Sequence, residues 1–386
     1  MNIRHTITSA SPVAVAAVVL ALIGLATTAG ASDRGSHRSP TFVVHPGESI
    51  QAAIDDAPPG STVVINEGSY RENLLIDHAV TVRGRGAVLL QPPAVQTPNT
   101  CTESGRFEEP GQPKPTWAMC IVGELGPLDD MGVATVVTPL AGVTVSKIHV
   151  RGFTEGIVAL GTEGLVVEHV EVDQHTDAGI NIVRSTNAKV KNSYLHDNVD
   201  FAIKVSIGNG ITLEGNRIID TRDSNGQGLN VSQYRNVVIR GNEVAGNCTG
   251  IMVVDVVHPG AMRNVRVYAN DVHDNSRYCP GEGIPSASGN GIVLGGVTNA
   301  VVFDNEVSHN VASTDPATGA PADLAFGGIG LFDTTAFGGS APSHNRVTDN
   351  EATDNQPNDV FYDGSGTNVV ISENDCNTSN VPGACS

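Results

Sequence analysis

The sequence has 386 residues, a formal net charge of −19 and an aromatic content of 4%. Because nucleic acid attracts basic surfaces, this excess of Asp and Glu argues against a nucleic-acid partner. The low aromatic content suits a core of Val, Ile and Leu, and the length, together with the continuous repeats described below, indicates one elongated domain.

Residues 1–31 are predicted to be a signal peptide. Arg4 precedes an apolar run over residues 13–26, and an A-x-A cleavage site follows at residues 29–31. The apolar run is too short for a comfortable membrane span, although a retained signal anchor is the alternative. We therefore expect a secreted protein in which residues 32–40 form a disordered lead-in and no later segment spans a membrane.

An amphipathic helix is predicted over Glu48–Ala57, because four apolar residues fall on one of its faces: Ile50, Ala53, Ile54 and Ala57. A Pro-Pro-Gly sequence at residues 58–60 ends this helix. Short apolar strands follow at residues 62–65 and 74–82, where the repeats begin.

A long insertion is predicted over Gln91–Leu140, where the repeat pattern is interrupted. It holds Pro, Gly and acidic residues, two cysteines and the single tryptophan of the chain, Trp117. Loops of this length are usually functional or disordered, and we expect this one to be ordered against the flank of the repeats. Trp117 either stacks on a sugar ring or packs the insertion against that flank.

A nine-residue motif is repeated through most of the chain. Val190–Asn198, for example, returns as Leu213–Thr221 and as Ile239–Asn247. Spacings in the low twenties lengthen in later copies because loops are added, which is typical of a solenoid. The fourth motif position is Asn in the last six copies, namely Asn216, Asn242, Asn270, Asn305, Asn350 and Asn374.

The pattern within each copy predicts short strands. The first, fourth and sixth positions are apolar or Asn and those between them are polar, which is strand and not helix periodicity. A coil of this length is too short for a strand–helix–strand crossover. Coils stacked about 4.8 Å apart would place equivalent residues side by side. The buried Asn column would then need hydrogen bonds between its amides.

This pattern resembles the right-handed parallel β-helix superfamily, which includes pectate lyases, polygalacturonases, alginate-modifying enzymes and NosD-like repeat proteins. The resemblance covers residues 41–379, and the opening HPGESIQAAIDDAPPGSTVVINEGSYREN is similar to that of pectin-active and NosD-like members. It implies an all-β fold in which residues 41–386 form a single right-handed parallel β-helix. Because a solenoid exposes its core at each end, we expect the helix to cap the N-terminal end.

Six cysteines follow the predicted signal peptide, and secretion favours disulfides. Cys248 and Cys279 follow the Asn turn of consecutive coils, so they should lie side by side. A metal site is the less favoured alternative, because no CxxC sequence is present. We expect three pairs between neighbours: Cys101–Cys120, Cys248–Cys279 and Cys376–Cys385.

The loops that precede one strand column lengthen toward the C-terminus, at residues 222–227, 276–290 and 311–327. Insertions of this kind gather on one side of a solenoid and often form a binding face. We therefore expect them to form one wall of a groove along this column. The outward positions of the column contain a single charge, Lys204, in the series Val158, Asn181, Lys204, Asn230, Met252, Val293, Gly330 and Phe361.

The residues around Lys204 suggest β-elimination on a uronic acid polymer, which several β-helix lyase families perform in similar outline. A base must remove the proton beside the carboxylate, and another group must neutralise that carboxylate. We assign Lys204 as the base and His196 as an acid or second base. Calcium would neutralise the carboxylate, held by Asp173, Asp177, Asp197, Asp200 and Asp223. Substrate contacts are assigned to Asn181, Asn230, Arg222 and Trp117.

A second class of function stays open at this point. Asp side chains commonly close turns, and Lys204 could form a weak surface ion pair, so the same residues fit a non-catalytic glycan-binding or cell-surface protein. Hydrolase and epimerase activities are disfavoured because their usual motifs are absent, and the RxPxxR sequence of pectate lyases is absent too. We expect a monomer whose partner is an acidic polysaccharide.

Overall fold

The computed structural model describes residues 39–93, 116–130, 132–281 and 285–386. The predicted signal peptide, residues 1–31, and Cys101 lie outside these ranges. Within them the chain winds into coils of short strands, and each strand pairs in parallel with its counterpart in the next coil. We name the three strand columns A, B and C, in the order in which the chain passes through them.

The columns share one 30-stranded sheet. Column A contains Thr41–Val44, Leu140–Ala141, Thr162–Glu163, Val166–Glu168, Thr186–Lys191, Arg263–Tyr268, Thr298–Phe303, Arg346–Val347 and Val370–Ile371. Three longer strands, Ser61–Tyr70, Val80–Leu90 and Thr144–Arg151, begin in column A and continue into column B. Column B contains Glu171–Asp173, Tyr194–His196, Arg217–Ile219, Glu243–Ala245, Asp271–His273, Glu306–Ser308, Glu351–Thr353 and Asp375–Cys376. Column C contains Leu74–Ile76, Trp117–Val122, Glu155–Leu160, Ala178–Val183, Thr249–Val254, Asn290–Gly295, Gly327–Phe332 and Asn358–Tyr362. Two long strands, Val199–Glu214 and Arg222–Arg240, bend from column C into column A.

Two antiparallel hairpins lie outside the columns, Glu124–Leu128 with Ala134–Thr138 and Tyr278–Cys279 with Ala287–Ser288. The core inside the coils is a continuous file of aliphatic side chains. In column A its fully buried members include Val167, Val190, Leu213, Ile239, Val267, Val302 and Val347. These residues pair in register from coil to coil, which confirms the predicted stacking. The protein is a parallel β-helix, as the repeats indicated.

The predicted column of buried Asn residues is confirmed at the turn between columns A and B. Asn242 donates its backbone N–H and its Nδ2 to Oδ1 of Asn270, at 3.1 and 2.9 Å. Asn270 makes the same pair of bonds to Asn305, at 3.2 and 2.9 Å. The Nδ2 atoms also donate to carbonyls of the preceding coil, such as Leu213 O at 3.0 Å from Asn242. Each amide is therefore paired despite its burial.

A second polar ladder lies at the turn between columns B and C, and the sequence interpretation missed it. Its members occupy the ninth motif position: His175, Asn198, Thr221, Asn247, Asn275, Asn310 and Asn355. Asn247, for example, donates its N–H and Nδ2 to Oδ1 of Asn275, at 3.1 and 2.8 Å. The recurrence of Asn at this position was the signal that could have revealed it.

His175 takes the place of an Asn in this second ladder. Its Nδ1 accepts the N–H of Phe153 at 3.3 Å, and its Nε2 donates to Val150 O at 3.2 Å. Asn198 makes the equivalent donation to Val172 O at 3.1 Å. This tautomer is neutral, and burial of the ring lowers the pKa of His175 to about 4.

His175→Asn is expected to reduce the loss of unfolding free energy that occurs when the pH is lowered. Below pH 6.5 the unfolded chain binds a proton at His175 that the folded chain excludes down to about pH 4, so the free energy of unfolding falls across this window. The neutral His175 therefore accounts for a loss of up to about 3 kcal/mol in the free energy of unfolding across this window. Urea unfolding between pH 7 and pH 4 should show a smaller loss for the variant, and equal losses would contradict a buried neutral histidine.

A short helix, Ile50–Asp55, follows the first strand, Thr41–Val44. It is shorter than the predicted Glu48–Ala57, because the Ser49 hydroxyl accepts the Ala52 N–H at 3.2 Å and caps the helix there. Ile50 and Ile54 are fully buried and belong to the same core as Val63. The helix thus covers apolar residues of the first coils, as predicted.

The predicted insertion, Gln91–Leu140, is wrong at residues 117–122, whereas the hairpin within residues 124–138 lies outside the columns. Trp117–Val122 is a regular strand of column C that pairs with Leu74–Ile76 and with Glu155–Leu160. All six residues of the strand are buried. A strand that is buried on both faces shows no alternation of apolar and polar residues, so the repeat pattern could not reveal it.

Two predicted disulfides are confirmed, Cys248–Cys279 and Cys376–Cys385. Cys120 is also disulfide-bonded, but the predicted partner, Cys101, lies outside the described residues. In the part of the chain that the structure describes, no helix is both long enough and apolar enough to cross a membrane.

Candidate ligand-binding site

The outward side chains of column C form the series that the sequence predicted. Asn181, Lys204 and Asn230 are lateral neighbours in three consecutive coils. The series continues in register on both sides, from Val158 to Phe361. The stacking therefore places Lys204 on the floor of any groove along this column.

A cavity of about 460 Å³ lies over this floor, and we call it the Lys204 cavity. Its floor residues come from column C: Phe201, Lys204, Gln227, Asn230, Ser232, Met252, Val254 and Phe332. Its remaining lining residues come from chain segments that flank the paired part of the column: Asn225, Val256, Val257, Pro285, Ala287, Leu324, Thr334 and Phe337. The volume is in the range of small-molecule sites.

The first wall consists of the loops that the sequence predicted. Pro285 and Ala287 come from the loop at residues 276–290, and Leu324 comes from the next coil. Ser288 N donates to Leu324 O at 3.0 Å, so the two loops form a continuous surface. The disulfide Cys248–Cys279 ties the start of this wall to the coil beneath it.

The second wall was not predicted. It is formed by Val256 and Val257 after one strand of column C and by Thr334 and Phe337 after another. The buried Asp255 joins the two segments, because its Oδ2 accepts from Gly260 N at 2.7 Å and from Ser340 Oγ at 2.8 Å. The longer chain between columns C and A in these coils was the sequence signal for it.

Val257 holds a strained position in this wall. Its φ of 77° lies in the left-handed region, which a β-branched residue rarely adopts, and such strain costs about 1–3 kcal/mol. Its N–H donates to Phe337 O at 3.3 Å. Both side chains stay exposed at the mouth of the cavity, Val257 by 54% and Phe337 by 46%.

Lys204 is half-buried in the cavity. Its Nζ lies 4.3 Å from the centroid of the Phe201 ring, a cation–π contact. Among the described residues, no carboxylate forms an ion pair with this ammonium. It is also the single titratable side chain among the sixteen lining residues.

Of the predicted substrate contacts, only Asn230 lines the cavity, where its Nδ2 donates to Gln227 Oε1 at 2.6 Å. Asn181 is fully buried, and its Nδ2 donates to Glu155 Oε1 at 2.8 Å. Trp117 is 1% exposed and packs in a small cluster under the first hairpin, so it cannot stack on a sugar. Arg222 is paired with Asp197.

His196 does not reach the cavity. It lies in column B, where its ring stacks on Tyr194 at 4.3 Å between centroids. Its Nδ1 lies 2.9 Å from Oδ2 of Asp197, and its Nε2 lies 3.3 Å from Oε1 of Glu171. The assignment of His196 as an acid or second base beside Lys204 is therefore corrected.

The five predicted calcium ligands do not converge. Asp173 is buried, and burial acts to raise its pKa, but the hydrogen bond from His149 at 2.6 Å and the neighbouring positive charges hold this pKa below its usual value. Asp200 accepts from the backbone N–H and the Nδ2 of Asn225, at 2.9 and 2.7 Å. None of the five, Asp173, Asp177, Asp197, Asp200 and Asp223, lines the Lys204 cavity.

Across the described ranges, no three His, Cys, Asp or Glu residues are arranged to hold a metal ion. Asp173, Asp197 and Asp200 instead accept from neighbouring side chains or backbone groups.

A second, shallower cleft of about 720 Å³ lies beyond the second wall. Arg184, Arg235 and His258 contribute to its lining. Arg184 is paired with Asp129, and burial lowers its pKa. This cleft provides an alternative location for an anionic ligand.

Comparisons with known proteins agree with the fold. Residues 132–284 match the family described as a right-handed β-helix region. A mutant of DFA-IIIase from Arthrobacter chlorophenolicus A6, in complex with DFA-III, has a TM-score of 0.53 at 11% identity, covering 92% of this chain and 98% of that chain. The Dettilon tailspike protein has a TM-score of 0.51 at 14% identity, and the match covers 89% of this chain and 68% of that chain.

A family 28 exopolygalacturonase from Yersinia enterocolitica has a TM-score of 0.45 at 14% identity, covering 90% of this chain and 79% of that chain. A search of curated protein sequences found no match. At these identities the likenesses concern the fold alone.

Proposed function

We propose that the Lys204 cavity of this right-handed parallel β-helix binds a saccharide that carries a carboxylate. The observation that carries the proposal is the Lys204 ammonium, half-buried in a cavity without a carboxylate partner among the described residues. A buried charge is costly unless it is paired. A ligand carboxylate would provide the missing partner through a charge-assisted hydrogen bond.

The rest of the floor suits a sugar. Phe201 and Met252 offer apolar surface for the C–H faces of a ring, and Asn225, Gln227 and Asn230 offer amides for its hydroxyls. The resemblance of the repeats to the superfamily of pectate lyases and polygalacturonases makes an acidic glycan the first ligand class to test. Two disulfides support an oxidising, extracellular location.

Elimination on a uronic acid polymer is the finer form of this proposal. It needs a base and a second group that neutralises the carboxylate. Lys204 can serve as one of these but not as both, and the described carboxylates supply no metal site beside it. The geometry therefore supports binding better than calcium-assisted elimination, which stays a prediction from the sequence.

Lys204→Met is expected to weaken binding of trigalacturonate by about 10- to 150-fold, because a hydrogen bond to a charged group contributes about 1.5–3 kcal/mol. Calorimetric titration should show this loss, while the uncharged trisaccharide maltotriose binds both proteins equally weakly. Lys189→Met is the matched control, since Lys189 is exposed in column A. Equal affinity of wild type and Lys204→Met for trigalacturonate would refute the proposal.

The same proteins can be incubated with polygalacturonate, with and without calcium. Growth of the ultraviolet absorbance of unsaturated uronates in wild type, and its loss in Lys204→Met, would establish elimination in addition to binding. Tight binding without such a product would leave a non-catalytic glycan-binding protein.

A further inference from the structure

The lining of the Lys204 cavity is more apolar than an acidic sugar alone requires. Ten of its sixteen lining residues are apolar: Phe201, Met252, Val254, Val256, Val257, Pro285, Ala287, Leu324, Phe332 and Phe337. A uronate polymer carries a carboxylate on every sugar, but this cavity presents one cation. Its chemistry therefore fits one carboxylate beside a sizeable apolar group.

The apolar residues lie on both sides of the floor. Leu324 belongs to the first wall, and Val257 and Phe337 belong to the second. Large apolar side chains that stay exposed at the mouth of a cavity often mark a ligand contact. Val257 does so in a strained backbone conformation, and strain of this kind is concentrated at functional sites.

The cavity combines one positive charge with apolar surface, and this combination restricts the ligands that it can bind. We infer that the Lys204 cavity takes an acidic sugar that bears an aryl or acyl substituent, with the carboxylate at Lys204 and the substituent between Leu324 and Phe337. This inference rests on the proposed function, because it assigns the carboxylate to Lys204. It adds that the apolar substituent contributes affinity of its own.

Three small probes separate the two contributions. D-Galacturonate carries only the carboxylate, and para-nitrophenyl β-D-galactoside carries only the aryl group. The third probe, para-nitrophenyl β-D-galacturonide, carries both groups. By calorimetric titration, the galacturonide should bind wild type at least about 10-fold more tightly than D-galacturonate, from burial of one aromatic ring. It should also bind more tightly than the uncharged galactoside.

Two variants and a control locate the effect. The aryl gain is the ratio by which the galacturonide binds more tightly than D-galacturonate. Phe337→Ser and Val257→Gly should each reduce the aryl gain several-fold and leave the affinity for D-galacturonate unchanged. Glycine accepts the backbone of residue 257 without strain, so Val257→Gly should not unfold the protein. Val370→Ser, at an apolar residue that is 48% exposed in the last coils, should change nothing.

The outcomes distinguish the inference from the proposed function. Lys204-dependent binding of D-galacturonate without any aryl gain would overturn the inference and leave the proposed function intact. Equal binding of galacturonide and galactoside, with a loss in Phe337→Ser, would overturn the role of Lys204 and with it the proposed function. An aryl gain that Val370→Ser removes as fully as Phe337→Ser would place the substituent outside the cavity and overturn the inference.

Discussion

Asn270→Ala is expected to lower the free energy of unfolding by about 4 kcal/mol or more. Asn270 is 2% exposed, and its Oδ1 accepts both the N–H and the Nδ2 of Asn242. Its own Nδ2 donates to Ile239 O and Tyr268 O, each at 3.1 Å. Alanine would leave these groups unpaired in the interior, and each such group costs about 1–3 kcal/mol.

The matched control is Asn264→Gly. Asn264 belongs to an exposed ladder, where its Nδ2 donates to Asn236 Oδ1 at 3.0 Å. In the variant, water can take the place of the lost amide as the partner of Asn236. Its φ of 58° suits glycine, so a change within about 0.5 kcal/mol is expected. Urea unfolding measures both variants, and similar values for the two would contradict a stabilising role of the buried ladder.

The double variant Cys248→Ala with Cys279→Ala is expected to lose about 3–4 kcal/mol of stability and part of the ligand affinity. The bond closes a loop of 31 residues, which limits the freedom of the unfolded chain. Cys279 also pairs with Ala287 in the hairpin, and Ala287 lines the cavity. Gly226, at φ 52°, packs against both sulfurs, where any Cβ would overlap them.

The other disulfide provides the control. Cys376–Cys385 closes 9 residues in the last coil, so its removal should cost about 2–3 kcal/mol and leave ligand binding unchanged. Calorimetric titration with trigalacturonate, at a temperature where all variants are folded, compares the two. Equal loss of affinity in both double variants would show that the first bond does not position the wall.

The repeat pattern predicted the features that depend on register. Once Asn242, Asn270 and Asn305 are aligned, the side-by-side placement of Lys204 with its neighbours follows, because stacking fixes every other column. The loops of the first wall followed from the lengthening of the repeats. The repeat register therefore predicted the fold, the Cys248–Cys279 disulfide and the position of Lys204.

Side-chain partners did not follow from register. The predicted calcium ligands lie near Lys204 in the sequence, but their side chains bond to residues of other coils. Asp173 pairs with His149, one coil before it, and Asp200 accepts from Asn225, one coil after it. Which way a turn side chain points depends on local backbone geometry that a period cannot show. Trp117 was misplaced because its strand is covered on both faces.

A crystal structure of the protein with bound trigalacturonate would show whether Lys204 binds the sugar carboxylate. We expect a carboxylate oxygen within about 2.7–2.9 Å of Lys204 Nζ, inside the cavity between the two walls. Trigalacturonate bound instead in the cleft lined by Arg184 and Arg235, with the Lys204 cavity empty, would contradict this expectation.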